Sequence, residues 1–300
     1  MEIAASALLL GLQYALLALG VYITFRVLNI PDLTVDGSFT FGAAVSAVLS
    51  VAGHPFLGLA AAILCGAAAG SVTGLLQTKA GIHPILAGIL TMSGLYTVNI
   101  TIMDAPNVSL IGKPRFYEAL YPLLPNADKE LLKTVCVAVI CAGLTVVLIL
   151  FFKTVFGLCI RATGNNEDMV RASSINTNAA KITALSIANA LVALSGGLIA
   201  QTGGFADVNA GSGMIVVGLA SVIIGEVIFG KRSLTLGLIS AVVGSVVYRL
   251  IIALALENEL FSANALKLIS AVIIGITLCV PAVRKSIAER RIRKGAHRNA

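Results

Sequence analysis

The sequence predicts an all-α polytopic membrane helix bundle, and three observations carry that expectation. Hydrophobic residues make up 58% of the 300 and charged residues only 12%, whereas a soluble domain carries about 25% charged residues to keep its surface hydrated. The apolar residues gather into stretches long enough to cross a hydrocarbon core of about 30 Å, which takes about 20 helical residues. The chain has 29 glycines and no tryptophan, which suits close helix contact in lipid. A disordered chain, a disulfide scaffold and a soluble enzyme are excluded on these grounds.

In chain order, Glu2 to Arg26 supplies the first span. Asp36 to Lys79 supplies two more, hinged at Gly53-His54-Pro55, where glycine and proline punctuate the apolar run. The second span, Ser38 to Ala52, is short, so it is expected to be broken or to cross only in part. Six more run over Ile82 to Met103, Leu131 to Phe152, Ala179 to Gln201, Gly211 to Gly230, Ser233 to Leu256 and Ala265 to Val283, making about nine segments. Residues 1–283 thus form one transmembrane domain, with an external loop at 104–130 and an internal loop at 155–178. Residues 284–300 form a basic tail.

Charge sets the orientation. The net charge is +7, and Arg284 to Arg298 holds seven basic residues against the single acid Glu289. A basic tail directly after an apolar span marks a cytoplasmic end that touches anionic lipid headgroups. Nucleic acid is not an expected partner, because no solvated base-reading domain exists. With the tail inside, alternation places Lys79, Lys153, Arg161, Arg171, Lys181, Lys231 and Arg232 inside as well. It leaves Asp104, Glu118, Asp128, Glu130, Asp207, Glu257 and Glu259 outside against Lys113, Arg115 and Lys129, a positive-inside bias. The N-terminus is then outside, provided the second segment crosses. Arg249 and Lys267, near outer span ends, are expected to snorkel. Cys65, Cys136, Cys141, Cys159 and Cys279 lack CxxC spacing and read as small buried hydrophobes.

Two stretches break the apolar pattern in corresponding places, Asn29 to Ser38 and Gly203 to Gly211. Each precedes a helix of small residues, and the triplet Gly70-Ser71-Val72 recurs as Gly244-Ser245-Val246. Spans one to four are expected to repeat as six to nine in inverted orientation, a transporter signature, with chance matching of small residues as the alternative. Gly66, Gly70 and Gly74 lie on one helix face, the pattern of a close helix contact.

The polar residues Asp32, Asp36, Ser38, Asn99, Asp207 and Glu226 lie near or inside spans and are the candidate lining of a pathway. Simpler roles compete. Asp36 or Ser38 can cap the following helix, and Glu226 can pair with Lys231 or Arg232. If the capped helix begins inside the membrane, its N–H groups can face a solute carboxylate. Gly225 to Lys231 matches GxxxxGK, but Arg232 stands where a P-loop needs Ser or Thr, so no nucleotide site is expected. No metal motif is present either: the chain is expected to be a non-catalytic subunit without a cofactor of its own. In the internal loop, Gly164-Asn165 can end one element and start a short helix, with Glu167 and Asp168 in its first turn.

That loop carries a resemblance. Arg161-Ala162-x-Gly164-Asn165, Met169, Ser173 and Ile175-Asn176, followed by Ser195-Gly196-Gly197, is similar to the permease subunit of bacterial ABC importers of the branched-chain amino acid and ribose type. Asn29 to Gly42 and Pro84 to Tyr96 resemble a subgroup assigned to tryptophan or tyrosine uptake. The resemblance implies that Gly164, Asn165, Asn166, Glu167, Asp168, Met169, Val170, Arg171 and Ala172 form the coupling helix that docks on an ATPase. It also implies a second permease copy, cytoplasmic ATPase subunits that hold ATP and Mg, an extracytoplasmic solute-binding protein, and a place in the bacterial cell membrane. The expected function is ATP-driven import of a small solute, an amino acid and within that class an aromatic one. The alternative is a stand-alone ion-coupled secondary transporter, which explains repeats and intramembrane acids but gives the internal loop no role.

Overall fold

The computed structural model describes residues 2–118, 129–230, 233–257 and Gly275. The expected ninth segment from Ala265, the basic tail, Lys231, Arg232, Lys267 and Cys279 lie outside the described residues, as does 119–128 of the external loop. The described residues form a helical bundle: α1 (Glu2–Tyr22), α2 (Thr34–Val51), α3 (Pro55–Thr78), α4 (Pro84–Met103), α5 (Lys129–Lys153), α6 (Val155–Asn165), α7 (Glu167–Ala172), α8 (Thr177–Gly203), α9 (Met214–Phe229) and α10 (Leu234–Glu257). Seven stretches among them are long and apolar enough to cross a membrane, and α9 is a shorter apolar helix. Two three-residue strands, β1 (Asn107–Ser109) and β2 (Phe205–Asp207), pair antiparallel and join the loops that follow α4 and α8.

Local signals set the helix ends. Pro55 and Pro84 open α3 and α4, where a missing N–H costs nothing. Asn166 and Asn176 cap α7 and α8 by accepting from the N–H groups of Met169 and Ala179, each at 3.0 Å. The chain leaves α8 through Gly204 at φ 81°, a left-handed turn that suits glycine. A π-helical turn, Ile23–Val27, ends α1, and Asn29 at φ 56° reverses the chain.

The expectation of a short second segment is corrected. α2 has 18 residues and begins at Thr34, before Ser38. Its start lies inside the bundle: Asp32, just ahead of it, accepts from Asn189 near the middle of the 27-residue α8. α9, with 16 residues, also starts at this depth, because Gly213 and Ile215 bond to Asp36.

Close backbone contact holds the bundle, as the glycines require. A Cβ on Gly42 would run into the Ala193 carbonyl, and one on Gly196 into that of Phe39. Gly66, Gly70 and Gly74 of α3 lie against Asn189, Leu185 and Ile182 of α8, the expected close contact. α2 and α3 pack on each other and on α8, while α9 and α10 pack on each other and on α1. α1 and α8 run antiparallel, with Gly20 against Ala188 and the Ser195 hydroxyl on the Gln13 carbonyl at 2.8 Å. Ser71 and Ser245, from the recurring triplets, bond to Ser186 of α8 and Gly11 of α1.

Candidate functional site

The two interruptions of the apolar pattern meet in space. Asp36, in the first turn of α2, accepts from the Gly213 N–H at 2.9 Å through Oδ2 and from the Ile215 N–H at 2.8 Å through Oδ1. Thr40 Oγ1, one turn on, accepts from the Gly211 N–H at 2.9 Å. Asp36 therefore caps α9 across the bundle. This corrects the expectation that it caps its own helix: the residue before α2 is Leu33, and the first-turn N–H of Thr34 goes to Asp32 at 2.9 Å. Ser38 does not cap either, being fully buried with no partner for its hydroxyl.

Beside this junction lies a cavity of about 430 Å³ lined by Asp36, Gly37, Thr40, Met92, Ser93, Tyr96, Asn99, Val208, Asn209, Gly211 and Ser212. Of the candidate pathway residues it gathers Asp36 and Asn99. Asp207 borders a neighbouring cavity, also about 430 Å³, between Tyr14, Phe39 and Met214. The carboxylate of Asp207 accepts from the Asn209 N–H at 2.6 Å, which folds the loop that separates the two cavities. Asp32 and Ser38 line neither. Asp32 is fully buried and bonded to Asn189 at 2.7 Å, at the edge of a hydroxyl chain in which Thr73 bonds both Thr34 and Thr91. Glu226 is elsewhere again, paired with Arg26 of the π-helical turn; the expected partners Lys231 and Arg232 lie outside the described residues. Arg249 is held within the bundle over the Tyr14 ring, 3.8 Å from its centroid, a cation–π contact and not a snorkelling position.

At one end of the bundle, α6 and α7 form an elbow between α5 and α8. Gly164 lies against the Val27 carbonyl, so the elbow presses on the end of α1. Val170 is buried, and Glu167 bonds both Arg171, at 2.9 Å, and Lys181 of α8. Partial burial works against the Glu167 charge, but the Lys181 and Arg171 contacts outweigh it and hold the carboxyl below its ordinary 4.5. Asp168, Met169 and Arg171 remain exposed, Met169 at 61%. Glu167 and Val170 thus anchor α7 to its own chain, and the free face belongs to their neighbours. Gly225 sits inside α9 against Ser240, so the GxxxxGK match has no phosphate-cradling loop at this point.

Sequence reasoning missed Thr40, Met92, Ser93, Tyr96, Asn209 and Ser212 as cavity residues, and Arg26 as a partner of Glu226. The uncharged ones carry no signal among many similar residues in spans. Arg26 carried one, since a charged residue that closes an apolar run needs a partner.

A bundle of broken and complete spans around a polar cavity defines a membrane transport protein. A family model described as the branched-chain amino acid transport system permease component matches residues 3–280, and the chain belongs to that family. It is 38% identical over 266 residues to a tyrosine transport system permease protein of Clostridioides difficile (strain R20291), covering 88% of this chain and 86% of the relative. It is 35% identical to an uncharacterized protein of Rickettsia prowazekii (strain Madrid E), over 76% and 79% of the two chains. It is 26% identical to the ribose import permease protein of Escherichia coli (strain K12), over 70% and 65%. No solved structure matches the chain. The resemblance read from the Gly164 loop is thereby borne out, and the chain is a multi-pass membrane permease of the ABC-transport type.

Proposed function

We propose that this permease forms the translocation pathway of a bacterial importer for a small solute, an amino acid, and that separate cytoplasmic ATPase subunits holding ATP and Mg drive it. Two permease copies and an extracytoplasmic solute-binding protein complete the assembly, and the basic tail lies on the cytoplasmic leaflet. An aromatic amino acid is the preferred solute, consistent with the tyrosine system named for the Clostridioides difficile relative. The chain supplies the conduit and performs no catalysis.

The observation that carries this reading is the connection between the elbow and the cavity. Gly164 bears on Val27, and the adjoining Arg26 pairs with Glu226 near the end of α9. The other end of α9 is held by Asp36 at the cavity. A helix of 16 residues is about 24 Å long, so α9 acts as a rod between elbow and cavity. A second route runs from Glu167 through Lys181 along α8 to α2. Movement of the elbow by a closing ATPase dimer would tilt these helices and change the cavity's access, a rigid-body switch between two states.

The test is reconstitution in proteoliposomes with an ATPase subunit and a solute-binding protein of the same importer class. ATP inside and liganded binding protein outside should together give uptake of tyrosine, phenylalanine or tryptophan. Uptake driven by an ion gradient without any ATPase would establish the secondary-carrier alternative.

A further inference from the structure

Helix N-termini that open inside a membrane are suited to a solute's carboxylate. Here both are already filled by the protein's own acids. Asp32 takes the first-turn N–H of α2, and Asp36 takes two N–H groups at the start of α9. The site's polarity is thereby reversed. What the cavity wall presents is the Asp36 carboxylate, partly exposed, bonded to the Gly213 and Ile215 N–H groups with that of Met214 beside it. A carboxylate offers about four lone-pair positions, so acceptor capacity remains.

A second, independent observation points the same way. Asn99 lines this cavity, is 1% exposed, and its Oδ1 has no hydrogen-bond partner. Its Nδ2 is engaged with the Gly37 carbonyl at 3.4 Å, which turns the amide so that oxygen is the free atom. Among the described residues, the lining includes no Lys, Arg or His. Tyr96 and Met92 add a ring and a thioether, surfaces that suit a cation or an aromatic body. A buried acceptor without a donor is costly, and a ligand's N–H groups would relieve that cost.

We propose that this cavity is a recognition site for a primary ammonium group borne on an aromatic or apolar body, with Asp36 and Asn99 as its acceptors and Tyr96 as its wall. The proposal rests on the amino-acid reading above and adds which end of the solute the permease reads. Ser212, which also lines the cavity, adds a hydroxyl donor for a carboxylate. The volume falls within the roughly 300–1,000 Å³ of small-ligand sites.

The test uses the full-length permease in lipid nanodiscs and three probes: L-phenylalanine, phenethylamine and 3-phenylpropionate. The two that carry an ammonium group should bind, and the acid should bind about tenfold more weakly or less, as loss of a charge-assisted bond requires. Ser93→Lys adds a cation to the cavity that Asp36 lines, leaves Asp36 itself in place, and should abolish amine binding. Ser93→Gln, of similar bulk and no charge, should retain it. Equal binding of the acid, or equal behaviour of the two Ser93 variants, overturns the assignment. ATP-driven uptake by a permease that shows no such discrimination would overturn this inference and leave the importer reading standing. Discrimination in a protein that recruits no ATPase would do the reverse.

Discussion

The carboxylate of Asp36 and the backbone N–H of Ile215 meet at 2.8 Å, and this bond joins the two places where the apolar pattern of the chain breaks. Gly213 donates to the other oxygen at 2.9 Å, so one side chain of α2 serves as the N-cap of α9. Gly213 itself caps α9 with no side chain, and Asp36 supplies what that position lacks.

That arrangement ranks three substitutions. Alanine at position 36 leaves both N–H groups without acceptors and should cost about 1–2 kcal/mol, as loss of a cap does. Asparagine has one acceptor oxygen, while its amide nitrogen would face a second donor, so it should keep one bond and fall between. Thermal unfolding of the purified permease should give Asp36 above Asp36→Asn above Asp36→Ala. If alanine and aspartate unfold together, the cap contributes nothing to stability.

The glycine contacts give a second prediction. Gly42→Ala and Gly196→Ala push a methyl into the backbone carbonyls of Ala193 and Phe39, which cannot retreat without moving a helix. Overpacking of this kind costs about 1–3 kcal/mol. Gly94→Ala and Gly143→Ala, with nothing within 4 Å of the added atom, should leave stability near native. Melting temperatures of the four variants, measured in one detergent, test the contrast. Uniform behaviour would mean that α2 and α8 do not lie in direct backbone contact.

How much of this was legible follows from the physics of each signal. Among the described residues, span boundaries came through within a few residues, because lipid demands long apolar runs and the Gly53-His54-Pro55 turn breaks one of them. The α7 helix was legible too, since Asn166 and the acids after it are local signals for a helix start. The partner of Asp36 was not, because Gly213 lies 177 residues away and is joined through its backbone, which leaves no trace in residue type. Arg26 and Glu226 are 200 residues apart, a separation at which residue type alone does not disclose a pair. The end of α6 was legible in Gly164-Asn165, read as the close of one element; its start was not, although Thr154 caps it by accepting from Gly157 at 3.3 Å.

Topology gives a third prediction. Ser109 lies on the β1–β2 end and Ser173 on the elbow end of the bundle, and both are exposed. In a variant without the native cysteines, an impermeant thiol reagent added outside intact cells should label Ser109→Cys and spare Ser173→Cys. Equal labelling of both would refute the orientation.

The fourth prediction concerns the elbow. Glu167 titrates below its ordinary 4.5, held there by Lys181 and Arg171 against partial burial. A depressed carboxylate contributes fully above its unfolded value, and its contribution is lost only as pH falls through the lower folded value. Attachment of α7 to α8 should therefore be constant from neutral pH down to about 5, and Glu167→Gln should remove it at every pH in that range. The docking face is a separate matter, because Glu167 and Val170 are committed to their own bundle. Asp168 and Met169 are the exposed pair, so Asp168→Lys with Met169→Glu should insert and melt as native yet fail to hold the ATPase in a pull-down. Glu167→Gln should still bind the ATPase but transmit its cycle less well, seen as more ATP hydrolysed per solute imported. If the Asp168/Met169 double variant assembles, hydrolyses and imports at native levels, the coupling role of α7 is wrong, and the importer reading loses its mechanical link.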